Sequence, residues 1–193
     1  NAMKKLLLGA VIGALIAAVG LYVYQRIGPS AAPTGPVDTA ESALAAASKG
    51  KTDAGAALRN VKMAGTILTV KNGESIQAAV SKAKPGDTIQ VMPGLYKETV
   101  YIDKDNIAIV GVIDKGAWPV MDGERKLNDA ILYSGSGIRI ENMKIVHYKG
   151  NAIMGQAGNN FIIRYNWIVD TGVYGIFPQF GKDGLVEYNV ISG

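Results

Sequence analysis

His147 is the chain's single histidine, and Asp170 follows it by 23 residues. A carboxylate beside an imidazole raises the ring's pKa and orients it as a general acid or base. Lys149, Tyr148 and Tyr174 lie nearby and offer a further base or proton donor. A lone histidine in a turn more often serves as a surface residue with one hydrogen bond, so the pair matters only if the fold brings it together. Other chemistries are set aside directly. No Gly-rich phosphate loop follows a strand in the needed order, and no Ser, His and Asp set has nucleophile-elbow spacing. Cysteine is absent, which removes disulfides and thiolate metal sites. A net charge of +4, carried by scattered lysines, argues against nucleic acid as a partner.

The spacing of 23 recurs. Gly135, Gly158 and Gly181 keep it, and so do Ile140, Ile163 and Val186; Ile145, Ile168 and Ile191; and Ala130, Ile153 and Ile176. The same step carries Glu141 to Arg164 to Glu187, Tyr133 to Gln156 to Gln179, and Asn166 to Asn189. A 23-residue unit with short strand patterns and Gly or Asn at its corners is too short for helix-pair repeats and suits the coil of a parallel β-helix with three strands per turn. Stacking then demands the same size and polarity at each place in successive turns. Period-2 alternation points Ile140, Ile163 and Val186 inward and leaves Glu141, Arg164 and Glu187 outward as a ladder of alternating charge. Asn166 and Asn189 are expected at a bend, tolerating left-handed backbone and bonding to the neighbouring copy, with Met143 ending that ladder. His147 and Asp170 become equivalent places on adjacent coils.

One parallel sheet is expected from residues 129–133, 152–156 and 175–179. Its expected outward rails are Ile131, Met154 and Phe177 beside Tyr133, Gln156 and Gln179. An apolar rail next to an amide and phenol rail stacks on sugar faces and bonds to hydroxyls. Met154 and Phe177 would serve equally well to contact a neighbouring loop. No metal or cofactor is expected: the acids of the regular coils, Asp170, Asp183, Glu141 and Glu187, do not converge there, and calcium needs several oxygens. Asp122, Glu124 and Asp129 form a weak alternative that a solvated turn explains as well.

The elements upstream change character. Asn1-Ala2 before Met3 read as the remnant of a cleaved tag. Residues 3–26 read as a signal anchor or transmembrane helix: Lys4-Lys5 lead into Leu6 to Val23, eighteen residues without a charge, then Tyr22, Tyr24 and Arg26 mark the far side. Residues 27–65 are rich in Pro, Ala and Gly and read as a flexible spacer. From 66 onward strands are expected at 66–70, 88–91, 100–102 and 107–110, with a helix over 75–83 whose apolar face is Ile76, Ala79, Val80 and Ala83.

Ser75-Ile76-Gln77-Ala78-Ala79-Val80, Pro85-Gly86-Asp87-Thr88-Ile89 and Pro93-Gly94-Leu95-Tyr96 together resemble the opening of right-handed parallel β-helix proteins of the pectin-lyase-like superfamily, in its exported bacterial branch. Pro119-Val120-Met121-Asp122-Gly123 is similar to a turn found soon after that opening. The resemblance spans roughly 66–193. It implies an all-β, right-handed parallel β-helix whose short helix caps the N-terminal end and covers an open sheet edge. It implies less about activity, because that superfamily holds lyases, esterases, hydrolases, epimerases and adhesins. The expectation is a membrane-anchored protein working outside the cytoplasm, periplasmic or extracellular, that binds and in one version processes a polysaccharide. A uronate lyase or epimerase is one alternative. A scaffold of the cell envelope, whose last coil before Gly193 is open to a protein contact, is the other.

Overall fold

Short runs of Val, Ile, Thr and Tyr favour the pleated backbone, and the Gly, Asn and Asp between them favour turns. In the computed structural model, which describes residues 62–193, these runs become strands. In chain order the elements are β1 (Ile67–Val70), α1 (Ile76–Lys82), β2 (Thr88–Val91), β3 (Gly94–Tyr96), β4 (Val100–Ile102), β5 (Ala108–Gly111), β6 (Pro119–Asp122), β7 (Ile131–Tyr133), β8 (Arg139–Glu141), β9 (Lys144–Val146), β10 (Ile153–Gly155), β11 (Ile162–Arg164), β12 (Trp167–Val169), β13 (Ile176–Pro178), β14 (Leu185–Glu187) and β15 (Val190–Ser192). The anchor expected at 3–26 and most of the spacer lie outside the described residues. Among the described residues no helix is long and apolar enough to cross a membrane.

All the strands pair in parallel and sort into three sheets, β1-β2-β5-β8-β11-β14, β3-β6-β9-β12-β15 and β4-β7-β10-β13. From β2 onward the chain visits the first, second and third sheet in turn, so it winds a parallel β-solenoid of four complete coils followed by β14 and β15. Ile89, Ile109, Ile140 and Ile163 stack in register as one inward column and are fully buried. Tyr96, Met121, Ile145 and Ile168 form a second. Fully burying one such side chain contributes roughly 1.5–3 kcal/mol.

The period of 23 holds only for the later coils. Successive partners in the first sheet step by 20 residues from Ile89 to Ile109, by 31 from Ile109 to Ile140, and by 23 from Ile140 to Ile163 and from Ile163 to Val186. The long coil carries its extra residues in two places. Between β5 and β6 a tight turn is closed by the Asp114–Ala117 bridge, and a second loop, 123–130, joins β6 to β7.

The corners obey the same economy. Asn166 Nδ2 donates to Asn189 Oδ1 at 3.0 Å and to the Ile140 carbonyl at 3.0 Å, and Asn189 Nδ2 donates to the Ile163 carbonyl at 2.9 Å. The Met143 N–H donates to Asn166 Oδ1 at 3.1 Å, so methionine ends the ladder as its side chain requires. One detail is corrected. The left-handed residue is the one before each asparagine position, Asn142, Tyr165 and Tyr188, with φ of 57°, 59° and 53°. The asparagine side chains are therefore free to turn inward and stack.

Helix α1 is short, and its ends are held from the first coil. Glu98 accepts from the N–H groups of Ile76 (2.8 Å) and Gln77 (3.1 Å) and from the Ser75 hydroxyl (2.7 Å), while Ser75 itself caps Ala78. At the other end Lys104 Nζ donates to the carbonyls of Val80, Ser81 and Ala83 at 2.8–3.0 Å. Anion at the N-terminus and cation at the C-terminus match the helix dipole and satisfy its orphan backbone groups. Ile76 and Val80 fill the core beneath, against β1, β2 and β4.

Candidate functional site

The third sheet is assembled largely where the repeat placed it, but its faces differ from expectation in one strand. Tyr101, Leu132, Met154 and Phe177 stand in register as the outward column. Ile131 was expected in that column and instead pairs with Val100 and Ile153 on the inward side, fully buried. Tyr133 was expected on the outward polar rail and is also fully buried, paired with Gly155. The reason is a turn one residue shorter: Ile131 to Ile140 is nine residues, whereas Ile153 to Ile163 is ten. A one-residue slip exchanges the two faces of a strand. Gly155 makes room for the inward ring, since a Cβ there would meet Tyr133 ring and hydroxyl atoms at 2.6 Å. The buried Tyr133 hydroxyl has no hydrogen-bond partner, and burial pushes its pKa well above the usual tyrosine range.

The outward face thus reads Tyr101, Leu132, Met154 and Phe177, with Ser134 rather than Tyr133 beside Gln156 and Gln179. Gln156 stays in step, its N–H donating to the Tyr133 carbonyl at 2.8 Å. Tyr101 shares a hydroxyl hydrogen bond with Ser134 at 3.0 Å, and its N–H donates to Gln77 Oε1 at 2.6 Å. Tyr174 lies exposed against Phe177, ring centroids 4.8 Å apart and tilted 34°. Along the entering edge, Asp129 Oδ1 accepts from the Asn151 backbone (2.7 Å) and side chain (2.8 Å), and Asn151 Nδ2 reaches Met154 Sδ at 3.5 Å.

At the exit of the second sheet, His147 and Asp170 follow β9 and β12 and both take left-handed backbone, φ 56° and 55°. Asp and His tolerate that region better than most residues. Their shared conformation aims both side chains from one corner of adjacent coils, and His147 Nε2 comes within 4.0 Å of Asp170 Oδ2. The better partner of the ring lies one coil earlier: Asp122 Oδ1 is 3.1 Å from His147 Nδ1 and also accepts from the Glu124 N–H at 2.8 Å. Burial pushes the Asp122 carboxyl up, yet the Glu124 N–H and the His147 ring outweigh it and hold the group below the usual carboxylate range. With Nδ1 donating to Asp122, the neutral ring carries its lone pair on Nε2, the arrangement of an oriented base.

The extra loop of the long coil closes over this corner. The Arg125 N–H donates to the His147 carbonyl at 2.8 Å, and its guanidinium pairs with Asp170. Glu124 is paired with Lys97 and Lys126. Glu124 and Arg125 are both left-handed, φ 49° and 56°. The residue types predicted for this site fall into two groups. His147 and Asp170 are brought together; Lys149 and Tyr174 stand exposed on the turns leading into the third sheet and are not among the groups bonded to the ring. Tyr148 is removed from the chemistry altogether, because it is core, its hydroxyl donating to the Glu98 carbonyl at 2.6 Å. Asp122 as the ring's partner, and Arg125, are the residues that sequence reasoning missed. The signal available for them was the loop after β6, which takes two residues more to reach its next strand than the loop after β9.

Among the described residues no group of three or more His, Asp or Glu side chains is placed to hold a metal ion. Asp122, Glu124 and Asp129, close in sequence, spend their oxygens separately on His147, on Lys97 and Lys126, and on Asn151. Comparison with protein-family models finds no match for the chain. Comparison with curated proteins and with solved structures finds no match either. The fold alone therefore defines the class, a parallel β-solenoid.

Proposed function

We propose that this is a membrane-anchored protein working outside the cytoplasm, a right-handed β-helix of pectin-lyase-like type capped by α1, that binds a polysaccharide along the outward face of its third sheet. The supporting observation is the continuous column Tyr101–Leu132–Met154–Phe177, with the Tyr174 ring against Phe177 and the Ser134, Gln156 and Gln179 rail alongside. Flat apolar surface next to hydroxyl and amide groups matches the two sides of a sugar ring. The long axis of such a face suits an elongated chain rather than a small molecule.

The test is retention on a panel of polysaccharides by affinity gel electrophoresis. Phe177→Ala is expected to weaken retention at least about fivefold, the loss of roughly 1 kcal/mol of stacking, without altering the far-ultraviolet circular dichroism spectrum. Unchanged retention in Phe177→Ala and Tyr101→Ala would place binding elsewhere.

A second reading, a uronate lyase or epimerase, is favoured by the His147 corner alone, where Asp122 orients a ring whose other nitrogen faces Asp170. It predicts unsaturated product absorbing in the ultraviolet, lost in His147→Ala. Retention without product would leave a binding module. Neither retention nor product would favour an envelope scaffold whose last coil meets another protein.

A further inference from the structure

The three outward columns of the solenoid are not alike. That of the first sheet, Gln90, Val110, Glu141, Arg164 and Glu187, is mostly polar and carries its own ion pairs, Arg164 Nε to Glu141 at 2.8 Å and Arg164 Nη1 to Glu187 at 3.5 Å. That of the second sheet runs Leu95, Val120, Lys144, Trp167 and Val190. Four of its five members are apolar, and Leu95, Trp167 and Val190 are 47%, 37% and 60% exposed. Trp118 sets its ring against Trp167 edge-on, centroids 6.0 Å apart at 73°, and the Lys144 ammonium lies 3.7 Å from the Trp167 centroid. Both tryptophans of the chain are therefore on one solvent face. Contiguous exposed apolar surface of this kind marks an interaction site.

We propose that this face rests on a phospholipid surface. Tryptophan rings suit the depth of lipid headgroups, and a lysine lying along apolar neighbours keeps its stem on them while its ammonium reaches a phosphate. Glycan recognition would use free ring faces, whereas Trp167 already has a lysine over one of its own. The proposal rests on reading Leu6 to Val23 as a bilayer anchor. With that anchor in place, the same chain ties the solenoid to a bilayer, so the solenoid works beside lipid. The tether supplies the proximity, and the second sheet supplies the side that faces down.

The experiment uses the full chain reconstituted into vesicles of phosphatidylcholine and phosphatidylglycerol, and into matched vesicles with brominated acyl chains. Flotation with the vesicles reports the anchor. Tryptophan emission reports this face alone, because Trp118 and Trp167 are the only indoles. The expected result is flotation together with an emission loss of about twofold in the brominated vesicles, as for side chains seated at the headgroup boundary. A Leu95→Glu, Val190→Glu double variant with an unchanged circular dichroism spectrum should still float and should lose most of the quenching. Flotation with undiminished emission would overturn the proposal and leave the anchor standing. Absence of flotation would remove the anchor and the proposal with it. Emission that changes with protein concentration and not with brominated lipid would give the face to a second copy of the chain.

Discussion

The regular coils from β8 onward and the long second coil use the same chain in opposite ways. In the regular coils each place is dictated by the copy above and below: isoleucine on isoleucine within, Glu141 against Arg164 against Glu187 without, asparagine on asparagine at the corner. The second coil carries eight residues beyond that period, and they answer to no stacked partner. Most of the surplus lies in the turn 112–118, and the loop 123–130, two residues longer than its counterpart between β9 and β10, brings Glu124, Arg125 and Lys126 to the corner where Asp122, His147 and Asp170 meet. Repetition thus supplies the frame, and the departure from repetition supplies the unlike charges that a site requires.

The contrast can be broken most directly at the frame. Ile140→Ala, at a fully buried place with Ile109 and Ile163 stacked on either side, should cost about 2–5 kcal/mol in urea unfolding. A loss below about 1 kcal/mol would mean that the coils fold with little mutual dependence. Next comes the helix clamp. Glu98→Gln keeps the shape and removes the charge that meets Ser75, Ile76 and Gln77. It should cost about 2 kcal/mol, and amide exchange should show α1 protection falling before that of β8 and β11. Equal loss throughout would show that the helix is no separate unit.

The loop is expected to matter least for stability. Arg125→Ala, an exposed side chain paired with Asp170, should change unfolding free energy by no more than about 1 kcal/mol. A cost as large as that of Ile140→Ala would erase the distinction between frame and insertion.

Acid separates the start of the solenoid, at Asp87, from the loop of the long coil, at Glu124, by a different route. Asp87 is held below its ordinary value first by the Lys84 N–H and then by the Thr66 N–H, and Glu124 first by the Lys97 ammonium and then by Lys126. A depressed carboxylate pKa contributes stability that is present above the unfolded value, near 3.8 for Asp87, and is lost as pH falls through the folded value. Thermal midpoints should therefore fall below about pH 4. Asp87→Asn should flatten that fall at low and high salt alike, because backbone donors are fixed. Glu124→Gln should flatten it slightly and only at low salt, because its partners are exposed lysines. The reverse salt dependence would contradict the assignment.

Much of this was legible from residue types at fixed spacing. The period of 23, the inward isoleucines, the charge ladder, the paired asparagines with methionine at their end, the helix near 75–83 and the meeting of His147 with Asp170 all follow from one physical demand: a stacked coil must repeat what it stacks on. That demand is local to each column and can be read without coordinates. Tertiary structure decided the rest wherever coils of unequal length meet. A turn shorter by one residue turned Ile131 and Tyr133 into the core and put Leu132 and Ser134 in their places, a change that period-2 alternation cannot detect unless the turn length is known. Glu98 found the first turn of α1 at separations of 21 to 23 residues, Lys104 its last turn at 21 to 24, and Asp122 found His147 at 25, so no single repeat step predicts them. Those contacts depend on how far each insertion carries the chain before the next strand pairs. Strand register in space therefore chose the partners, while residue spacing had already chosen the columns.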